Sequence, residues 1–235
     1  MAGTVYLIPT TLGECDLNTV LPEGNNTITK QIRHFIVEDI RTARRFLRKV
    51  DAEFPIDDCA FFILNQHTSE LELNSFLAPI AAGHDMGIIS EAGCPAVADP
   101  GAAIVQLAQQ KNYTVVPLVG PSSILLALMA SGFNGQSFAF AGYIPIENSE
   151  RIKALKKLEQ RAIHEKQTQL FIETPYRNNK LMADILKHCQ PNTLLSIAAN
   201  ITLPDAYSKT KTIKAWSNAV PDLAKKPCIF GLFGG

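Results

Sequence analysis

The feature that most constrains this chain is the regular alternation, through its first half, of short apolar runs with amphipathic ones. Residues 4–8, 34–37, 61–64, 87–90 and 114–118 are short, rich in Val, Ile and Phe, and read as strands. Residues 41–50, 71–82, 102–111 and 123–130 carry apolar side chains at helical spacing and follow the second to fifth of these runs in turn. Strands separated by helices pair in parallel rather than as hairpins, so the pattern predicts an α/β domain with a parallel sheet. Near residues 132–143 the rhythm changes. A polar, basic stretch over 147–167 predicts a helix with an exposed face, followed by a strand at 169–173, a helix at 179–189 and strands at 194–198 and 228–233. These elements predict two domains, residues 1–133 and a smaller α+β domain over residues 134–235.

Composition bounds what such a fold can do. Apolar residues make up 46% and charged residues 19%, which suits a packed globular chain. Lys+Arg and Asp+Glu both total 22, so a chain coated in positive charge is excluded while a local basic patch is not. The five cysteines are scattered, odd in number and without a C-x-x-C pair, which argues against a zinc site or disulfide framework and fits a reducing cytosol. The opening residues show no basic segment followed by a long apolar one, so no signal peptide is expected. The most apolar stretch, residues 115–128, is interrupted by Pro117 and by Gly120-Pro121 and is too short to cross a bilayer. A cytoplasmic protein without membrane partners is the expectation.

The most informative segment runs from Ile88 to Gly101: an apolar strand, then Ser90-Glu91-Ala92-Gly93-Cys94-Pro95, then Asp99-Pro100 before a helix. Small residues beyond the carboxyl end of a parallel strand let a ligand approach the backbone, and open α/β sheets bind ligands there. A plain strand–loop–helix connection capped by Asp99 fits the same spacing. A second loop, Val119-Gly120-Pro121-Ser122-Ser123, precedes an apolar helix. It reads either as an anion-facing helix start or as a capped core helix. Absent are the dinucleotide G-x-G-x-x-G, the phosphate loop G-x-x-x-x-G-K-[ST], the G-x-S-x-G elbow and any histidine pair at metal-ligand spacing, so hydride, nucleoside triphosphatase, hydrolase and zinc chemistry lose support and no metal site is expected.

Positive charge is concentrated in Arg41, Arg44, Arg45 and Arg48, which fall at i, i+3, i+4 and i+7 and so share one helix face. Such a face is either simply solvated or apposed to phosphates. The run from Arg151 to Lys157 is a weaker second candidate. Glu173 and Arg177 follow a strand of the second domain; they can meet a ribose and a phosphate, or pair with each other across the turn.

Taken in order, these segments resemble the family of ribosomal RNA small-subunit methyltransferase I, within the tetrapyrrole methylase superfamily. The family opening G-T-L-Y-x-x-P-T-P-I-G-N corresponds to residues 3–13, A-E-D-T-R to Val37-Glu38-Asp39-Ile40-Arg41, and S-D-A-G-T-P-x-x-S-D-P-G to Ser90 through Gly101. P-G-P-S-A corresponds to residues 119–123, F-x-G-F-L-P to residues 140–145, and Y-E-S-P-H-R to residues 172–177. The resemblance implies a tetrapyrrole methylase-like fold with a parallel-sheet first domain, a mixed-sheet second domain and S-adenosyl-L-methionine held between them. It assigns cofactor contacts to Pro9, Ser90, Glu91, Ala92, Gly93, Pro95, Ser122, Ser123, Ile172, Glu173, Thr174 and Ala198. It further implies a homodimer and methyl transfer to a cytidine ribose 2′-hydroxyl of small-subunit ribosomal RNA, with Arg41, Arg44, Arg45, Arg48 and Arg177 toward the RNA. Glu38, Asp39 and Glu173 are the candidate bases. The family's G-N-L stands here as Gly13-Glu14-Cys15 and its E-L-T-K segment only as residues 200–206, departures that mark a diverged paralogue. Methylation of a tetrapyrrole or other small metabolite, or cofactor binding without transfer, are the alternatives the same scaffold allows.

Overall fold

The computed structural model describes residues 2–65 and 67–234, which divide into two compact units, one ending at Ser122 and the other starting at Ser123. In the first unit the strands are β1 (Thr4–Ile8), β2 (His34–Val37), β3 (Ala60–Ile63), β4 (Met86–Ile89) and β5 (Thr114–Pro117). The helices between them are α1 (Glu23–Thr29), α2 (Ile40–Val50), α3 (Glu70–Phe76), α4 (Ala78–Ala81) and α5 (Gly101–Gln110). The sheet order is β3-β2-β4-β1-β5 and every pairing is parallel. Side chains alternate between faces, as the strand period requires. Ile8, Phe35, Val37 and Ile89 pack under α2, whereas Val5, Ile36, Met86 and Ile88 pack with Ile80, Ile104 and Ala108 on the other face. The central strand β4 is buried along its whole length.

This order makes the first two crossovers run one way along the sheet and the last two the other. The chain therefore leaves β1 and β4, which are neighbours, toward opposite faces, and a crevice opens at their carboxyl ends. Helix α2 borders it. Asp39 caps the helix by accepting from the Thr42 N–H at 2.9 Å, and Ala43, Phe46, Leu47 and Val50 form its buried stripe. Where one long helix is expected over 71–82, α3 and α4 are separated at Leu77, because Pro79 has no N–H to donate to the Ser75 carbonyl one turn back and its ring crowds that carbonyl.

The second unit contains α6 (Ser123–Ser131), β6 (Phe138–Tyr143), α7 (Asn148–His164), β7 (Thr168–Ile172), α8 (Asn178–His188), β8 (Leu194–Ala199), β9 (Tyr207–Thr212), α9 (Ile213–Trp216) and β10 (Cys228–Phe233). Its sheet order is β6-β7-β10-β8-β9, with β6 and β7 parallel and the other pairs antiparallel. Leu155, Leu181, Ile185 and Trp216 cover one face over Phe171 and Phe230. Helix α6 covers the other, with Ala127 and Leu128 on Leu170, Ala198 and Ile229. The sequence reading groups this helix with the first domain; its packing places it in the second unit. Among the described residues no helix is long and apolar enough to cross a membrane.

Candidate functional site

Three loops meet at the carboxyl edge of the first sheet, and their backbones lock together. The Thr10 hydroxyl donates to the Ser90 carbonyl at 3.2 Å, the Thr10 N–H to the Gly93 carbonyl at 3.0 Å, and the Ser90 hydroxyl to the same Gly93 carbonyl at 2.6 Å. The Cys94 thiol faces the Pro121 carbonyl at 3.4 Å, which ties in the loop after β5. Gly93 sits at φ +74°, and a Cβ there would lie 2.9 Å from Leu12 and 3.1 Å from the Pro121 carbonyl. Ala96 and Ala98 also hold positive φ, at 64° and 58°, a conformation that L-residues adopt only when their surroundings enforce it. Asp99 supplies part of that enforcement by accepting from the Ala96 and Gly101 N–H groups at 3.1 and 2.6 Å. Asp99 thus serves the start of α5 as expected, through a carboxylate shared with its own loop.

A cavity of about 220 Å³ opens beside these loops, lined by residues 10–14, Leu17, Thr42, Ala43, Arg45, Phe46, Lys49 and residues 89–92. Of the residues expected at the cofactor, Ser90, Glu91 and Ala92 line it, while Pro9, Gly93 and Pro95 are buried in the loops behind it. Thr10, Thr11, Leu12, Glu14, Thr42 and Lys49 were not singled out. Their signal was faint: Lys49 extends the arginine face by one turn from Arg45, and residues 10–14 simply continue the β1 loop.

Beside this cavity an open groove of about 620 Å³ is lined by Arg41, Arg44, Arg45, Arg48 and Lys49, together with Ile56 and Asp57. Arg45 and Lys49 line both spaces. All four arginines are exposed, as their helical spacing predicts. The Arg44 guanidinium lies 5.6 Å from the centre of the Phe61 ring, Arg48 donates to the Ala52 carbonyl, and Lys49 pairs with Glu14 at 2.7 Å. Among the described residues Arg41, Arg44 and Arg45 have no carboxylate within 4.0 Å, so their charge faces solvent.

The candidate bases differ in their surroundings. Asp39 is the cap of α2, and hydrogen bonds from the Thr42 N–H and hydroxyl hold its carboxyl below the ordinary range. In the second unit, burial alone would raise the Glu173 carboxyl. Arg177 at 2.6 Å and the Thr174 N–H at 2.7 Å outweigh that effect and hold it below the ordinary value. The two residues therefore form the internal pair that braces the turn after β7. Partial burial raises the Glu38 carboxyl, and the charges of Asp99 and Glu91 raise it further.

The other expected residues lie as follows. Ser122 closes the first unit and Ser123 opens α6. Ile172 ends β7, Thr174 follows it, and Ala198 is buried under α6. Arg151, in the weaker basic run, is 3% exposed and bound to Asp184 at 2.7 Å and Asn148 at 2.8 Å. It holds α7 to α8 and is not available to an external anion.

No family model matches the chain. It is 28% identical over 184 residues to ribosomal RNA small subunit methyltransferase I of Pseudomonas aeruginosa, a match covering 78% of this chain and 61% of that protein. The protein of that name from Bacillus subtilis is 30% identical over 187 residues, covering 78% and 60%. That from Pasteurella multocida is 27% identical over 222 residues, covering 94% and 71%. The chain thus spans about 60% of the length of the first and second of these relatives. In structure it matches the methyltransferase CobJ with a TM-score of 0.65 at 15% identity, over 100% of this chain and 94% of the other, which shows a shared fold. Over 78–94% of its length the chain is thus similar in sequence to ribosomal RNA small subunit methyltransferase I, and it shares the fold of CobJ.

Proposed function

We propose that the chain is an S-adenosyl-L-methionine-dependent methyltransferase whose acceptor is a ribose 2′-hydroxyl of small-subunit ribosomal RNA. The observation that carries the proposal is the cavity at the sheet's carboxyl edge sharing Arg45 and Lys49 with the arginine groove. A space suited to a small ligand thereby adjoins a surface suited to phosphates. The cavity's chemistry fits the cofactor: carboxylates at Glu14 and Glu91, cations at Arg45 and Lys49, hydroxyls at Thr10, Thr11 and Thr42, and apolar walls at Leu12, Leu17 and Phe46. Such a lining suits an amino acid that carries both charges together with a sulfonium. When bound, that sulfonium supplies an electrophilic methyl group. The chain's own contribution is positioning: the locked loops fix the ligand's surroundings, and the arginines orient an RNA backbone beside it.

Ser90, Glu91 and Ala92 would hold the cofactor from the cavity wall, with Pro9, Gly93 and Pro95 shaping the loops behind. Ser122, Ser123, Ile172, Thr174 and Ala198 rest on the resemblance. Four guanidiniums spaced along one face of α2 suit the repeated phosphates of an RNA backbone. A cytoplasmic homodimer belongs to the same proposal; exposed Leu125 and Met129, one turn apart on α6, suit a contact between copies.

Calorimetric titration with S-adenosyl-L-methionine tests the cofactor assignment. The parent should bind saturably, and Glu91→Lys with an unchanged thermal midpoint should lose binding. Absence of binding by the folded parent would remove the methyltransferase reading.

A further inference from the structure

We infer that Glu14 is a built-in competitor of the RNA: it occupies Lys49, the cation at which the cavity meets the arginine groove, and a backbone phosphate displaces it to be seated there. The inference rests on the RNA reading above and identifies the residue that tunes how tightly this surface takes its partner.

The basic row of α2 runs from Arg41 to Lys49, about 12 Å at the helical rise. Its members differ in what they touch. Among the described residues Lys49 is the one member of the row with a carboxylate partner, its Nζ lying 2.7 Å from Glu14 Oε2. Lys49 stands one turn after Arg45 on the same face and borders the cavity, the groove and a third space beside Cys15, Asp16 and Asn26. Glu14 comes from the loop after β1, 35 residues earlier in the chain, and lines the cavity but not the groove. The pair therefore spans the boundary between the two spaces and neutralises the row at that end.

Both partners are open to water, with 42% of the Lys49 side chain and 88% of the Glu14 side chain exposed. Water screens such a pair and holds it loosely. Its chemistry is nonetheless that of anion recognition. The ammonium donates to a carboxylate oxygen, and the charge of Arg45 adds to that of Lys49 in holding the Glu14 carboxyl below its ordinary range. A phosphate oxygen suits the same two cations. A single phosphate meets Glu14 as an equal competitor. A strand has the advantage that its neighbouring phosphates engage Arg41 and Arg44 at the same time, which raises the effective concentration of the one at Lys49. Glu14 thereby favours a polyanion over an isolated anion.

A latch that ties the β1 loop to α2 and a competitor for phosphate respond oppositely to Glu14→Gln. Filter binding of small-subunit ribosomal RNA lacking its native methylations, without cofactor, separates them. Glu14→Gln should bind the RNA about two- to fivefold more tightly, the stabilisation of an exposed ion pair that no longer has to be broken. Lys49→Gln should bind more weakly than the parent. Adding Glu14→Gln to Lys49→Gln should gain less than it gains in the parent, because no pair is left to break. The thermal midpoint of Glu14→Gln should match the parent's, so that the affinity reports on an intact fold. Binding that is unchanged or weaker in Glu14→Gln overturns the inference and leaves a latch. A gain equally large in the Lys49→Gln background also overturns it, because the carboxylate then opposes RNA through its charge alone. A parent that binds no RNA overturns the underlying reading, and the inference with it.

Discussion

A Cβ on Gly120 would lie 2.2 Å from the Cβ of Pro9, closer than any carbon pair tolerates. The loops after β1 and β5 therefore approach each other only because that side chain is missing. Gly120→Ala should force them apart, lowering stability by about 1–3 kcal/mol in thermal or denaturant unfolding and weakening cofactor binding. Gly132→Ala, where φ is +73° but nothing lies within 4 Å, should cost stability without touching binding. At Glu173 the depressed carboxyl sets a pH dependence. The ion pair with Arg177 is fully formed above the unfolded-state value, about 4.3. Its contribution is lost as pH falls through the lower folded-state value. Glu173→Gln should destabilise by about 1–3 kcal/mol at pH 7, and the difference from the parent should shrink in acid denaturation as pH falls below that lower value. Spacing could not reveal which of these residues were occupied. The Glu173–Arg177 separation allowed both a ligand pair and an internal one, and nothing near Arg151 indicated that it would be buried against Asp184.

At the scale of elements, α2 was the most legible, because its apolar stripe and its arginine face both follow from a 3.6-residue period. If that face tracks an RNA backbone, each guanidinium removed should lower the slope of log affinity against log salt by about 0.7. Arg41→Gln/Arg44→Gln, both lining the groove and neither the cavity, should therefore show a shallower salt dependence in RNA binding with cofactor affinity kept. An unchanged slope would place the RNA elsewhere. The strands of the first sheet were legible within about a residue, because buried parallel strands are apolar runs. Less legible was α1, whose Gly24, Asn25, Asn26 and Thr27 are poor helix formers held in place by tertiary contacts. The edge strand β9 was missed because Tyr-Ser-Lys-Thr-Lys-Thr carries no apolar alternation; pairing with β8 makes it a strand. Helix α6 is apolar nearly all round, so its sequence could not say which sheet it would cover.

At the scale of the whole molecule, the two units have separate cores, and the cysteines report on them separately. Burial pushes the Cys189 and Cys228 thiols of the second unit up to about 12. Both should resist an alkylating reagent at pH 8 until that unit unfolds, whereas Cys15, partly exposed in the first, should react in the native protein. The cavity at the sheet's carboxyl edge and the arginine groove both lie within the first unit. The measurement that bears most directly on the proposed activity is transfer of tritiated methyl groups from S-adenosyl-L-methionine to small-subunit ribosomal RNA lacking its native methylations. The label should enter the RNA at a cytidine ribose 2′-hydroxyl and fall sharply with Glu91→Lys. Saturable cofactor binding with no label in any RNA would contradict it and leave a binding module.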